Sequence, residues 1–176
     1  LKPGDEIKIM EPMGHFTTEY SAENKRHILM FGGGSGITPF MSLIKSTLNQ
    51  EPNSIVSLIY CNRNINSIIF KNTLDEIQTS FEGRFHVIHV LDNAPVKWQG
   101  PSGLLNDEML KKLLERIPDW GIDNTTYLMC GPEGMMKNVE SLLVSNDIAT
   151  DKIFKESFVQ GTIDKKEDFS TPAGIQ

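Results

Sequence analysis

The sequence predicts an α/β fold, built as a three-layer, doubly wound parallel sheet of about five strands. From residue 27 onward, short runs of aliphatic and β-branched residues alternate with stretches that carry apolar residues at helical spacing. This alternation is typical of βαβ units. The 176 residues suffice for one domain of ordinary size, and 39% hydrophobic with 23% charged residues is the composition of a globular protein.

The individual elements follow from this alternation. The first predicted strand, HILMF, is apolar along almost its whole length, as a strand covered on both faces should be. The strands are predicted at residues 27–31, 55–61, 85–91, 125–130 and 153–158. The helices are predicted at residues 40–48, 67–80, 106–116 and 133–143. Because a helix separates each strand from the next, we expect the strands to pair in parallel.

The two ends of the chain are expected to lie outside this domain. The chain starts with LKPGD, without Met, and residues 6–10 read as an alternating strand. Residues 159–176 are polar and resemble an interdomain linker. We therefore predict an entering strand and connector (1–20), a main domain (21–158) and a linker-like tail (159–176), as in a fragment of a longer protein.

Charge and composition exclude several classes of function. Seventeen basic against 23 acidic residues give a net charge of −6, and no run of Lys and Arg suits nucleic-acid phosphates. No apolar stretch approaches the ~20 residues that a bilayer needs. Cys61 and Cys130 are too far apart for a zinc or iron–sulfur motif, and the histidines lack metal-ligand spacing. We expect a cytoplasmic protein without a metal site and without nucleic-acid or membrane partners, in which Cys61 is a core residue.

A glycine-rich turn follows the first predicted strand. Glycines let the backbone approach a diphosphate, and the N–H groups of the following helix favour the anion. The turn consists of Gly32, Gly33, Gly34, Ser35, Gly36, Ile37, Thr38 and Pro39. Pro39 is expected at the first helical position, where its missing N–H costs nothing. The spacing is not GxGxxG, and a tight turn alone would explain some of the glycines, but the position after the first strand favours nucleotide binding.

Three motifs in this order resemble the ferredoxin-NADP reductase superfamily. They are GGGSGITPF at 32–40, CGPEGMM at 130–136 and KESF at 155–158, similar to its GxGxxP, CGPxxM and E-x-F patterns. PGD at 3–5 and PMGHF at 12–16 resemble the end of its flavin-binding β-barrel. Within the superfamily the chain resembles oxygenase reductase components, such as that of the phenylacetyl-CoA monooxygenase system. The barrel's flavin motif, R-x-Y-S/T, is absent from this chain.

The resemblance implies a division of labour between domains. A barrel elsewhere in the longer protein would hold FAD, and this chain would present NAD(P)H for hydride transfer to it. The electrons would pass to an iron–sulfur centre or an oxygenase component, with a 2Fe-2S ferredoxin-type domain expected after residue 176. A non-catalytic nucleotide-binding regulatory module of the same fold is the alternative.

The resemblance also assigns roles to single residues. Cys130 would lie beside the nicotinamide and shape hydride geometry without acting as a nucleophile. Glu156 would stabilise charge as the hydride leaves. Gly131, Pro132 and Met135 would contact the cofactor, and Phe158 would lie near the flavin. Each residue also has a simpler interpretation. Cys130 could be a small buried side chain, Glu156 a solvated carboxylate at the sheet edge, and Met135 and Phe158 ordinary packing residues.

Asn62 and Arg63 follow the second predicted strand. Doubly wound nucleotide domains read the adenosine ribose at this position. An acid there would favour a free 2′-hydroxyl, whereas Arg63 can pair with a 2′-phosphate, so NADPH is favoured over NADH. A surface arginine in a loop is the alternative.

Overall fold

The computed structural model describes residues 1–9, 14 and 16–158. The predicted linker-like tail, 159–176, lies outside the described residues. The helices and strands are β1 (His27–Gly33), α1 (Ile37–Gln50), β2 (Ile55–Asn62), α2 (Lys71–Ser80), β3 (Phe85–Leu91), α3 (Asp107–Leu114), β4 (Thr125–Cys130), α4 (Glu133–Ser145) and β5 (Ile153–Glu156).

The five strands form one parallel sheet in the order β3-β2-β1-β4-β5. Residues of α1 and α2 pack against one face of the sheet, and residues of α3 and α4 pack against the other. The predicted three-layer α/β fold is confirmed. Because the chain order reverses between β1 and β4, these neighbouring strands form the topological switch point at which such sheets bind ligands.

Several element boundaries differ from the prediction, some of them at predicted site residues. Strands β1 and β2 end later than predicted, so Gly33 and Asn62 belong to them. Helix α1 begins at Ile37, so Pro39 is its third residue, where a missing N–H still costs nothing because that group has no partner within the helix. Helix α2 begins at Lys71, because Asn64 and Ser67 cap a separate 3-10 turn before it. Strand β5 ends at Glu156, so Phe158 lies beyond it.

The predicted N-terminal strand is not formed by the part of it that the structure describes. Residues 6–9 belong to no strand, and the side chains of Ile7 and Ile9 are 61% and 82% exposed. A β-strand forms only when a neighbouring strand completes its hydrogen bonds. Residues 6–9 have no such partner strand within the part of the chain that the structure describes.

The connector that follows is tied to the domain at the amino edge of the sheet, where the strands begin. Arg26 donates hydrogen bonds to the Thr18 hydroxyl (2.8 Å) and the Glu19 carbonyl (2.9 Å). The same guanidinium pairs with the buried carboxylate of Glu51 at 2.5 Å. Further along, Phe16 packs on Phe40 of α1 with ring centroids 5.9 Å apart. These contacts hold the connector against the domain at residues 16, 18 and 19.

Candidate functional site

Two strand-to-helix turns meet at the switch point between β1 and β4. A side chain on Gly36 would put its Cβ 2.0 Å from the Cys130 carbonyl oxygen, and one on Gly33 would lie 2.5 Å from Cδ of Pro132. Both distances are shorter than atoms can approach without displacement. These two glycines are therefore required for the turns to pack together, which is a different reason from the diphosphate approach predicted from the sequence.

Gly34 is the glycine that faces open space. Its φ of +52° lies in the left-handed region, and nothing lies within 4 Å of the position that a Cβ would take. The Thr38 hydroxyl donates to the Ser35 carbonyl, and no side chain caps the start of α1. The start of this 14-residue helix thus keeps the partial positive charge that attracts anions.

A cavity of about 710 Å³ extends from this turn along the carboxyl edge of the sheet, where the strands end. We call it the Asn62 cleft. Of the residues predicted to bind the cofactor, those that line it are Gly33, Gly34, Asn62, Arg63, Pro132 and Met135. The ends of β1 and β2 and the start of α4 therefore bring together residues that are up to 102 positions apart, from Gly33 to Met135.

Asn62 and Arg63 offer this cleft polar groups that the protein itself does not use. Asn62 is 4% exposed, and neither its amide oxygen nor its amide nitrogen forms a hydrogen bond of normal length and angle with a described residue. A buried amide without a partner costs about 1–3 kcal/mol. The exposed Arg63 guanidinium likewise makes no hydrogen bond or ion pair within residues 1–9, 14 and 16–158. The cleft is therefore suited to a polar, anionic ligand.

The other predicted residues gather around a second cavity of about 680 Å³, which we call the Glu156 cavity. The domain contributes Thr38, Pro39, Glu156 and Phe158 to its lining. The connector contributes Gly14, Phe16 and Thr17. Phe158 is 56% exposed, so this cavity is open to the surroundings on the side of β5.

Cys130 lies at the end of β4 and is fully buried. It stands opposite Gly32 of β1 and Glu156 of β5 in the sheet register, and it is not among the residues that line either cavity. Burial raises the pKa of its thiol to about 11, and the Glu156 carboxylate adds to the rise. The side chain is therefore a protonated thiol near neutral pH, consistent with a packing role and not with a nucleophile.

Four more of the predicted residues lie beside the cavities rather than in their linings: Gly32, Ser35, Gly36 and Gly131. Gly32 is enclosed within β1, where Tyr60 and Phe40 lie next to it, and Gly36 is enclosed by β4. Gly131 packs against the Gly33 backbone. Ser35 is exposed. Gly32, Gly36 and Gly131 shape the turns, whereas Ser35 stands at their surface.

Several residues of the Asn62 cleft were not predicted from the sequence. Asp92 follows β3 directly, so the rule that selected Asn62 and Arg63 at the end of the second predicted strand could have found it. Asn138 lies one helical turn after Gly134 on α4, and both residues line the cleft. Cys61, expected in the core, also lines it. Leu104 and Leu105 come from the irregular segment before α3, and no motif marks them.

Within residues 1–9, 14 and 16–158, no group of three or more His, Cys, Asp and Glu side chains could hold a metal ion. None of the helices in that part of the chain has both the length and the apolar character needed to cross a membrane.

The family model described as oxidoreductase NAD-binding domain matches residues 30–141. NADH-cytochrome b5 reductase 1 of Cryptococcus neoformans is 36% identical over 143 residues, which cover 77% of this chain and 47% of that protein. The chain thus spans about half the length of this relative.

Two solved structures share the fold. The cytochrome b5 reductase domain of Ulva prolifera nitrate reductase matches with a TM-score of 0.72 at 22% identity, over 82% of this chain and 56% of that chain. A ferredoxin NADP+ reductase from Neisseria gonorrhoeae, solved with bound FAD and NADP, matches with a TM-score of 0.61 at 23% identity, over 77% and 57%. Since the family model covers more than half of the sequence, the chain belongs to the oxidoreductase NAD-binding domain family, as its resemblance to the ferredoxin-NADP reductase superfamily predicted.

Proposed function

We propose that this chain binds NAD(P)H along the carboxyl edge of its sheet and presents the nicotinamide to a flavin in another domain of a longer protein. The diphosphate would bind at Gly34 and the start of α1, and the adenosine would occupy the Asn62 cleft. The observation that supports this best is the Asn62 side chain, which belongs to the lining of the cleft and whose buried amide forms no hydrogen bond of normal length and angle with a described residue. Such a group is expected where a ligand supplies the missing partner.

The Glu156 cavity is the proposed place of the nicotinamide. When bound, a reduced nicotinamide supplies a hydride that a flavin can accept. Thr38, Glu156 and Phe158 line this cavity and would orient the ring, and the carboxylate of Glu156 would stabilise positive charge there. Cys130 would support the same region as a buried thiol, because its raised pKa keeps it protonated.

The partner domain and the electron acceptor that we propose lie outside this chain. The connector residues Phe16 and Thr17 form one wall of the Glu156 cavity, so the segment before the domain approaches the proposed nicotinamide site. A barrel that holds FAD is the partner we propose at this point. The acceptor we propose is an iron–sulfur centre, in a ferredoxin-type domain, or an oxygenase component.

The choice between coenzymes depends on two opposite charges in the Asn62 cleft. Arg63 favours a 2′-phosphate, and Asp92, which lines the same cleft, opposes it. By its name, the Cryptococcus neoformans relative uses NADH, and the Neisseria gonorrhoeae structure was solved with NADP. Both coenzymes therefore occur within this fold. Because Arg63 has no other partner among the described residues, we propose a preference for NADPH.

Binding and turnover can be tested separately. The chain alone is expected to bind NADP+ and NAD+ in isothermal titration calorimetry, and to show no dye reduction with NADPH. The longer protein with its flavin is expected to transfer hydride from NADPH. Lack of nucleotide binding by the chain, or a chain that purifies with tightly bound flavin, would contradict the proposal.

A further inference from the structure

Tyr60 is a buried residue of β2 whose hydroxyl reaches the glycine-rich turn. The side chain is 0% exposed, and its ring packs against that of His89 on β3 with centroids 5.8 Å apart. The hydroxyl donates a hydrogen bond of 2.8 Å to the carbonyl oxygen of Gly34. None of the three sequence motifs includes this residue.

This hydrogen bond fixes the peptide between Gly34 and Ser35. Gly34 is the glycine of this turn whose Cβ position faces open space, so packing around that position does not hold it in place. Its carbonyl accepts from the Tyr60 hydroxyl and also from the Ile37 backbone N–H. In a trans peptide the N–H points opposite to the C=O. The N–H of Ser35 is therefore directed away from the core, toward the exposed surface of the turn.

The Tyr60 hydroxyl remains a donor under ordinary conditions. Burial raises the pKa of Tyr60, and the neighbouring Asn62 amide and Ile69 backbone N–H oppose only part of that rise. The phenol therefore stays protonated at neutral pH. A phenylalanine at this position would keep the buried ring and remove only the donor.

We propose that Tyr60 is a positioning residue for the nucleotide diphosphate. By holding the Gly34 carbonyl on the core side, it keeps the Ser35 N–H aimed at the anion beside the start of α1. This inference rests on the proposed function, because it assumes that the diphosphate binds at this turn. It assigns Tyr60 no direct contact with the nucleotide.

The test uses Tyr60→Phe in the 176-residue chain, with Tyr127→Phe as the matched control. Tyr127 is also a buried tyrosine of the central sheet, but it belongs to the core on the opposite face, with α3 and α4. Calorimetry measures the dissociation constants of ADP and of 2′-AMP. These ligands share adenosine, and ADP alone carries the 5′-diphosphate.

Tyr60→Phe should raise the dissociation constant of ADP about five- to tenfold, the effect of one lost hydrogen bond, and leave that of 2′-AMP unchanged. Tyr127→Phe should change neither. The ratio of the two constants does not depend on the folded fraction, so it is valid even for a destabilised variant. An unchanged ratio would overturn the inference alone. A wild-type chain that binds neither ligand would overturn the proposed function and the inference with it.

Discussion

The two edges of the sheet differ in whether their charged side chains are paired within the protein. At the amino edge, Arg26 pairs with Glu51, and Arg84 donates to the backbone carbonyls of Ser54 (3.0 Å), Leu48 (3.1 Å) and Glu51 (2.6 Å). Among the buried side-chain atoms of the described residues, the Thr47 hydroxyl and His86 Nε2 near this edge form no hydrogen bond. Its charges satisfy one another and fasten the connector to the domain.

At the carboxyl edge, three groups that could bind an anion or a polar ligand lack such partners within the described residues. Arg63 makes no ion pair with the described residues, the Asn62 amide forms no hydrogen bond of normal length and angle with them, and no side chain caps the start of α1. An unpaired buried polar group lowers stability, and removing one partner of a buried ion pair leaves such a group behind. The difference indicates that the amino edge is built for stability and the carboxyl edge for a ligand. Substitutions at the two edges should therefore affect different measurements.

The largest effect is expected from Glu51→Gln at the amino edge. Burial alone would raise the pKa of Glu51, but hydrogen bonds from Arg26, Asn24 and Ser54, with the Arg26 charge, hold it below its usual value. Breaking a buried pair costs about 3–5 kcal/mol. We expect the free energy of unfolding, measured in urea, to fall by about 3 kcal/mol. This is the lower end of the range, because the Arg26 side chain is 23% exposed. Nucleotide affinity should be unchanged.

Glu108→Gln is the matched control for this substitution. Glu108 pairs with Lys112 on the surface, with side chains 79% and 67% exposed, so unfolding should hardly change. Equal effects of the two substitutions would contradict the role assigned to the amino edge.

Arg63→Ala should act at the carboxyl edge and on binding alone. A charge-assisted phosphate contact contributes about 1.5–3 kcal/mol, so affinity for NADP+ should fall at least tenfold while that for NAD+ changes little. Calorimetry measures both, and Arg116→Ala, an exposed arginine of the α3 side, is the control. The same loss for both coenzymes would rule out a 2′-phosphate contact.

Acid should weaken the amino edge through His27. Its Nε2 bonds to Ser57 at 2.9 Å, and burial, helped by His86 and opposed by Asp119, lowers its pKa to about 4. The unfolded chain, with an ordinary pKa near 6.5, then binds the proton more readily than the folded one. Stability should fall between pH 6.5 and 4 by at most about 1.4 kcal/mol per pH unit. His27→Gln should reduce this slope, and identical slopes would contradict the assignment.

Asn62→Leu should change stability less than Glu51→Gln does, and in the opposite direction. Replacing an unpaired buried amide by an apolar side chain of similar size should raise the free energy of unfolding by about 1 kcal/mol. The same substitution should weaken nucleotide binding at least tenfold, about 1.4 kcal/mol. Urea unfolding and calorimetry measure the two changes. A variant that is less stable and binds normally would show that Asn62 is an ordinary core residue.

The alternation of strands and helices was enough to predict the parallel sheet and its two covered faces. The residues around the cleft were partly predictable, because Asn62 ends β2 and Gly34 directly follows β1. Asp92 obeys the same rule. Phe158 was placed on β5 from its alternation with Glu156, but the strand ends two residues earlier.

Other features depend on contacts between distant segments and could not be predicted from local pattern. The need for glycine at position 36 arises from the Cys130 carbonyl, 94 residues later in the chain. Tyr60 reaches Gly34 only because β2 lies beside β1 in the sheet. Residues 6–9 have the alternation of a strand but no partner strand among the described residues, and the need for a partner is not visible in the segment itself.

The most direct test of the difference between the edges is a titration of the ¹⁵N-labelled chain with NADP+, followed by amide chemical shifts. If the carboxyl edge is the nucleotide site, the largest shifts will fall on Gly34, Ser35 and Asn62, and Arg26 and Arg84 at the amino edge will hardly move. Largest shifts at the amino edge, or none at either edge, would contradict the account.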